Sequence, residues 1–303
     1  MIGEMLHQEA VLEAVDFPLF YKGANLIALA VDHLRAEIDS LPAAERSRLR
    51  SARFEFACPT PLGWVRLNGA GDHRYGPEEL LPGSPLRPES DDEHDLLILD
   101  TAGNDTYSQA GATTSARRGI GVAVDLAGDD RYASPDAVGW QAYNARVDGR
   151  SEAFVHHRPE DHVAAFGAGI LGYGFLIDLA GDDRYYCNDS AFGVGNVNGL
   201  GVFWDKAGDD LYIARSNSFG QPFVESSGSR RDFIINAGLF IDAGGEDDYR
   251  QLPEDFDAAA HEPFDFGDGS QFTRIEWLGD GTRRSWRGHL EQPLSTGAAV
   301  DMD

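Results

Sequence analysis

Apolar positions change their spacing once along this chain. Between Ala24 and Asp39, Ile27, Val31, Leu34 and Ile38 recur at helical intervals, with Asp32, Arg35 and Glu37 off that face. The pattern predicts an amphipathic helix. Pro42, in a favoured first-turn position, opens a second short helix over Ala43–Arg50. From about residue 62 the helical spacing gives way to short apolar segments rich in β-branched and aromatic residues. Alternation within them puts Val122 with Val124, Phe175 with Ile177, Val202 with Trp204, and Leu239 with Ile241 on one face. Residues 1–56 are expected to form a helical cap over the open end of this β-rich region.

Each of these segments heads a repeated phrase. It reads LILDTAGNDTY (97–107), VAVDLAGDDRY (122–132), FLIDLAGDDRY (175–185), VFWDKAGDDLY (202–212) and LFIDAGGEDDY (239–249), with a degenerate copy, VRLNGAGDHRY, at 65–75. The shared form is h-h-h-D-x-x-G-x-D-x-Y. Its first aspartates, Asp100, Asp125, Asp178, Asp205 and Asp242, are separated by 25, 53, 27 and 37 residues. The long step implies an insertion near Val138–Val163, and the step of 37 a shorter one near Ser216–Asp232. A unit of this length marks a repeat architecture. No helix-length periodic segment lies between copies, so the unit is a coil of short strands and turns.

The expected fold is therefore mainly β: a parallel β-solenoid (β-helix) with an N-terminal α-helical cap. The solenoid is expected over 57–250 and a C-terminal extension over 251–303. In that extension Pro253 and Pro263 suggest a linker, and Phe272–Trp286 a hairpin around Gly279-Asp280-Gly281. The last dozen residues read as frayed.

Stacking the copies aligns three columns of side chains. The first holds Asp100, Asp125, Asp178, Asp205 and Asp242. The second holds Asn104, Asp129, Asp182, Asp209 and Glu246, and the third Asp105, Asp130, Asp183, Asp210 and Asp247. Like charges on adjacent strands repel by roughly 3 kcal/mol per pair at an effective dielectric near 20, so each column needs to be neutralised or satisfied. D-x-x-G is a type I turn signature in which the aspartate accepts backbone N–H groups two residues on. That accounts for the first column. The third column, after the glycine, is a candidate ligand set for a hard cation bound by oxygen.

The phrases AGNDTY, AGDDRY and AGDDLY resemble the hemolysin-type (RTX) calcium-binding repeat. The resemblance carries over to Gly103/Asp105/Tyr107, Gly128/Asp130/Tyr132, Gly181/Asp183/Tyr185, Gly208/Asp210/Tyr212 and Gly245/Asp247/Tyr249. It implies Ca2+ held between successive coils and, for weak sites, an extracellular or cell-surface location. Without calcium dependence a cytoplasmic location stands.

Composition narrows the partners. The formal charge of −26 repels phosphate backbones and anionic membranes, so nucleic acid is excluded and divalent cations are favoured. No apolar run is long enough for membrane insertion, and no basic region followed by an apolar stretch marks a signal peptide at the N-terminus. The 42% hydrophobic content supports one large or two small cores. Cys58 and Cys187 form no zinc pattern, and a disulfide between them is left open.

Three functions fit these features. The first is a non-catalytic calcium-binding module with a structural or interaction role. The second is a carbohydrate-active enzyme of the lyase or hydrolase type on the same scaffold. The third is a module that binds a protein partner through its loop insertions; a protein or a glycan is the macromolecular partner expected across these readings. The insertion carries His156, His157, Asp161 and His162, residue types that ligate transition metals; with Arg117 and Arg118 they are the non-repeated candidates for catalysis. Gly167, Gly169 and Gly172 match GxGxxG formally, but no helix pattern comes after them, which excludes dinucleotide binding.

Overall fold

The computed structural model describes residues 16–75, 94–108, 110–113, 119–133, 165–187, 190–214, 218–222, 235–253, 270, 272–275, 278, 283–287 and 295–302. The insertion at 138–163, with its histidines, and Arg117 and Arg118 lie outside these residues. Two helices open the described chain, α1 (Phe17–Ser40) and α2 (Ala43–Ser51). Eighteen strands come next among the described residues. They are β1 (Glu55–Thr60), β2 (Gly63–Asn68), β3 (Arg74–Tyr75), β4 (Asp95–Asp100), β5 (Thr106–Tyr107), β6 (Ile120–Asp125), β7 (Arg131–Ala133), β8 (Gly169–Ile170) and β9 (Tyr173–Asp178). Then come β10 (Arg184–Tyr186), β11 (Gly195–Asn196), β12 (Leu200–Asp205), β13 (Leu211–Ala214), β14 (Ala237–Ala243), β15 (Asp248–Gln251), β16 (Thr273–Arg274), β17 (Arg283–Arg287) and β18 (Thr296–Met302).

The fold is mainly β, with parallel sheets. One sheet runs β1-β2-β4-β6-β9-β12-β14-β18-β17, and a second runs β16-β15-β13-β10-β7-β5-β3. A third pairs β8 with β11 and is extended by bridges from Thr113 to Gly169 and from Gly195 to Pro222. Inner neighbours are parallel and in register: Asp100, Asp125, Asp178, Asp205, Asp242 and Asp301 form one row of the first sheet. Tyr75, Tyr107, Tyr132, Tyr185, Tyr212 and Tyr249 form one row of the second. The parallel strands alternate between the two large sheets, and each sheet gains them in sequence order.

The D-x-x-G corner joining the first sheet to the second has the same length in every copy, and its glycine explains why neighbouring corners can nest. A Cβ on Gly208 would lie 1.6 Å from the Gly181 carbonyl oxygen, so only a hydrogen fits there. The other two corners vary in length. The insertion at 138–163 falls between β7 and the third sheet, and residues 223–234 fall between the third sheet and β14.

The core lies between the sheets. Tyrosine rings of the second sheet stack at centroid distances of 4.7, 4.6, 4.6, 4.7 and 5.0 Å along the row. Phe203 and Phe240 face them from the first sheet. Phe166, Phe192 and Phe219 fill the remaining side from backbone conformations with φ of 47°, 55° and 59°. A bulky residue in that region costs on the order of 1–3 kcal/mol. Full burial of each ring, edge-on to Tyr132, Tyr185 and Tyr212 respectively, offsets it.

The helices do not cap an end; they lie across the outer face of the first sheet. Asp16 starts α1 by accepting the Leu19 N–H at 3.1 Å. Ala24, Ile27, Val31 and Ile38 then pack with Leu97, Val122, Val124, Phe175, Ile177, Val202 and Trp204. Phe20 stacks on Tyr173 with centroids 4.2 Å apart. The reason is the alternation itself: the strands' second apolar face, spanning four strands, is larger than any end and needs a cover. Among the described residues, three of the four edges of the large sheets end instead in antiparallel strands, β1 on β2, β17 on β18 and β16 on β15.

Other expectations are corrected at the C-terminus. The last residues form β18, which continues the first sheet in parallel with β14. Thr273–Arg274 and Arg283–Arg287 pair with strands of different sheets rather than with each other in a hairpin. Residues 218–222, expected within an insertion, belong to the core and the third sheet. Cys58 and Cys187 are not joined in a disulfide.

Gly208→Ala is expected to destabilise the protein by about 3 kcal/mol or more, at the upper end of overpacking costs, as read from urea unfolding. Gly244→Ala tests the space argument, because a Cβ there meets nothing closer than 3.6 Å and only its positive φ opposes the change.

Candidate metal centre

The alternation that sends Val122 and Val124 out to the helices sends Ala123 and Asp125 inward. The first-column aspartates are consequently buried, each 0–2% exposed. In four of the five, one oxygen satisfies its own turn: Ala102, Ala127, Ala180 and Ala207 N–H groups donate to Oδ1 of Asp100, Asp125, Asp178 and Asp205 at 2.9–3.2 Å, whereas Asp242 Oδ1 is buried and receives no hydrogen bond among the described residues. This is the predicted turn chemistry. The other oxygen receives a tyrosine from the preceding copy. Tyr75 donates to Asp100, Tyr107 to Asp125, Tyr132 to Asp178 and Tyr185 to Asp205, the last two at 2.6 Å. The series breaks at Asp242: the Tyr212 hydroxyl is buried without a hydrogen-bond partner among the described residues, and Asp242 takes instead the hydroxyl of Tyr249 from its own copy at 2.7 Å, which also lies 3.2 Å from Asp301 Oδ2. Burial and the facing carboxylates push these phenols well above their ordinary range, which keeps them protonated as donors.

The second column is exposed and forms a ladder of its own. Asp129, Asp182, Asp209 and Glu246 N–H groups donate backward to the side chains of Asn104, Asp129, Asp182 and Asp209 at 2.9–3.3 Å.

The third column runs the other way. The N–H groups of His73, Asp105, Asp130, Asp183 and Asp210 donate forward to Oδ1 of Asp105, Asp130, Asp183, Asp210 and Asp247. These aspartates are 1–4% exposed. The Oδ2 atoms of Asp105, Asp130 and Asp210 are buried and receive no hydrogen bond. A buried ionised oxygen without a partner is costly, so it calls for a proton or a cation.

The two buried columns converge. Asp105/Asp125/Asp130, Asp130/Asp178/Asp183, Asp183/Asp205/Asp210 and Asp210/Asp242/Asp247 form triads, each with ligand oxygens within 4.8 Å of one another. A fifth triad, His73/Asp100/Asp105, begins the file. Consecutive triads share a third-column aspartate. All ten aspartates singled out from the sequence are thus brought together. Sequence reasoning missed His73 and Asp301. The degenerate copy already aligns His73 with the third column, and GAAVD before Asp301 repeats the strand phrase without its turn.

Without a cation, protons must supply the missing positive charge. Burial, reinforced by neighbouring carboxylates, raises Asp105 to about 7, Asp130 to about 8 and Asp242 to about 8. Burial also lifts Asp178 to about 6 and Asp210 to about 10.

No family model matches this chain, and no curated protein or solved structure is significantly similar to it.

Aspartates whose folded pKa exceeds the unfolded value of about 3.9 bind more protons folded than unfolded. Stability is then full below pH of about 4 and falls as pH rises through the folded values, by about 1.4 kcal/mol per pH unit for each such group. For protein kept in chelator, Tm is expected to be higher at pH 5 than at pH 8; a Tm that rises over this range would contradict the buried columns. Tyr185→Phe, which strips Asp205 of its donor, is expected to lower stability by about 1.5–3 kcal/mol at neutral pH, measured by denaturant unfolding.

Proposed function

We propose that this chain is a parallel β-solenoid whose interior file of aspartates binds calcium, and that it acts as a non-catalytic structural or interaction module. The solenoid reading is supported by two large sheets that gain strands in the same sequence order, with a third sheet between them. The observation that carries the metal reading is the row of buried, unpartnered Oδ2 atoms of Asp105, Asp130 and Asp210 inside three-carboxylate triads. A hard divalent cation takes only oxygen ligands and neutralises two carboxylates. One divalent ion in each of the five triads balances the charge of their ten aspartates. The third-column positions are also those that carry the likeness to hemolysin-type repeats.

A repeated, interior site favours construction over catalysis. The ten aspartates are too deeply buried to meet a polysaccharide, so a carbohydrate-active function would need other residues. Weak sites of this kind would fill where calcium is near millimolar, outside the cell. Binding to the folded state alone stabilises by linkage, about 2.7 kcal/mol per site at a hundredfold excess over Kd.

Metal-stripped protein at pH 7.5 is expected to show a large rise in Tm on adding millimolar Ca2+, a smaller one with Mg2+, and a reduced one in Asp130→Asn and in Asp183→Asn. An unchanged Tm with Ca2+ would reduce the columns to proton-sharing turn residues and end the calcium reading.

A further inference from the structure

The first triad differs from the other four in chemistry and in access. Strand β3 pairs with β5 so that Tyr75 faces Tyr107, which puts His73 beside Asp105 at the head of the third column. Its Nδ1 lies 3.0 Å from Asp100 Oδ2 and 3.4 Å from Asp105 Oδ1. Nδ1 is buried, yet its direction meets no hydrogen-bond partner. Asp105, 1% exposed, contributes a second buried atom without a partner, its Oδ2. One nitrogen and two carboxylates therefore offer ligand atoms within 4.8 Å of one another.

We infer that His73, Asp100 and Asp105 form a transition-metal site, distinct in its ion from the calcium file that it begins. This rests on the calcium reading only in sharing Asp100 and Asp105. Calcium takes oxygen ligands, whereas an imidazole nitrogen selects zinc and other first-row transition ions. Three protein ligands leave a tetrahedral ion one open position, the arrangement of sites that bind water or an exogenous ligand.

Access agrees with this. The inner triads are sealed between consecutive strands, but among the described residues no parallel copy of the repeat precedes β3 in the second sheet. A cleft lined by Glu55, Phe56, Arg66, Asn68 and Arg74 reaches the triad at His73 instead, with Asp100 and Asp105 buried behind it. Glu55 Oε1 stands 4.0 Å from His73 Nε2, on the side from which a carboxylate orients a ligating imidazole and leaves Nδ1 for the metal. Arg74, Glu55 and Arg66, the last paired with Asp95 at 2.5 Å, make the cleft mixed in charge. The ligand suited to the open position is water.

The test is titration of the metal-stripped full chain with Co2+ in millimolar Ca2+, read by visible absorption, with Zn2+ as competitor. One equivalent of Co2+ is expected to bind with the intense absorption of a low-coordinate, nitrogen-ligated ion and to be displaced by Zn2+. His73→Ala and His73→Gln, each checked for folding by circular dichroism, are expected to lose this absorption and keep the Ca2+-dependent rise in Tm. Asp183→Asn is expected to keep the absorption and lose part of that rise. Absence of saturable Co2+ binding in the wild-type protein would overturn the site, leaving His73 as an ion-pair partner of Asp100. Absorption that persists in a folded His73 variant would overturn it equally. Loss of the Ca2+ effect with a His73-dependent Co2+ signal would retire the calcium reading alone and support this one.

Discussion

The structure depends on keeping rows of aspartate out of water. Moving so many carboxylates into an apolar interior is unfavourable unless each oxygen finds a donor, a proton or a cation. The phrase that repeats along the chain supplies most of those partners. Its first aspartate folds back on its own turn and receives a tyrosine from the preceding copy. Its second aspartate takes a backbone N–H from that same neighbour. Every copy therefore completes, and is completed by, the next. Stability in such an array resides at the boundaries between copies rather than within them.

The exposed and the buried backbone ladders tie neighbours in opposite senses. The second column points its N–H groups backward and the third points them forward. Each corner is thus both donor and acceptor to both sides, which fixes the register between strands independently of the apolar packing. The stacked tyrosines then fill the interior without needing to set the register themselves. Where the array begins, the aspartate of the third column becomes His73 and the first-column position becomes Asn68, whose amide donates to the Tyr75 hydroxyl at 2.6 Å. The first copy thereby meets its neighbour with fewer negative charges than an inner copy carries.

Much of this was legible in the sequence. The repeat, the alternation of the strands and the turn role of Asp125 and its equivalents can be read from spacing and turn chemistry. The burial of the columns could not, because acidic residues ordinarily read as surface. It becomes visible only when alternation is carried one residue past Val124, which puts Asp125 on the same side as Ala123. The helices were legible as helices, but their place was not: amphipathicity says that a face is covered, not by what. Phe166, Phe192 and Phe219 adopt a left-handed conformation that residue type alone argues against, and only the packed interior explains it. Strand β18 escaped notice because Ala298 and Ala299 stand where the preceding copy carries Leu239 and Phe240.

The unequal tolerance of the three corners has a practical consequence. The aspartate corner cannot change length, because its two carboxylates must reach fixed partners on both neighbours. The corners on either side of the third sheet differ in length from copy to copy, from 2 residues between β8 and β9 to 35 between β7 and β8. Closing a longer loop between fixed ends adds little entropy cost, on the order of 0.6 kcal/mol per doubling. The stretch of sequence between β7 and β8 is therefore the place to graft: a foreign peptide or small domain inserted there would join two strands whose neighbours the acidic corner goes on holding in register.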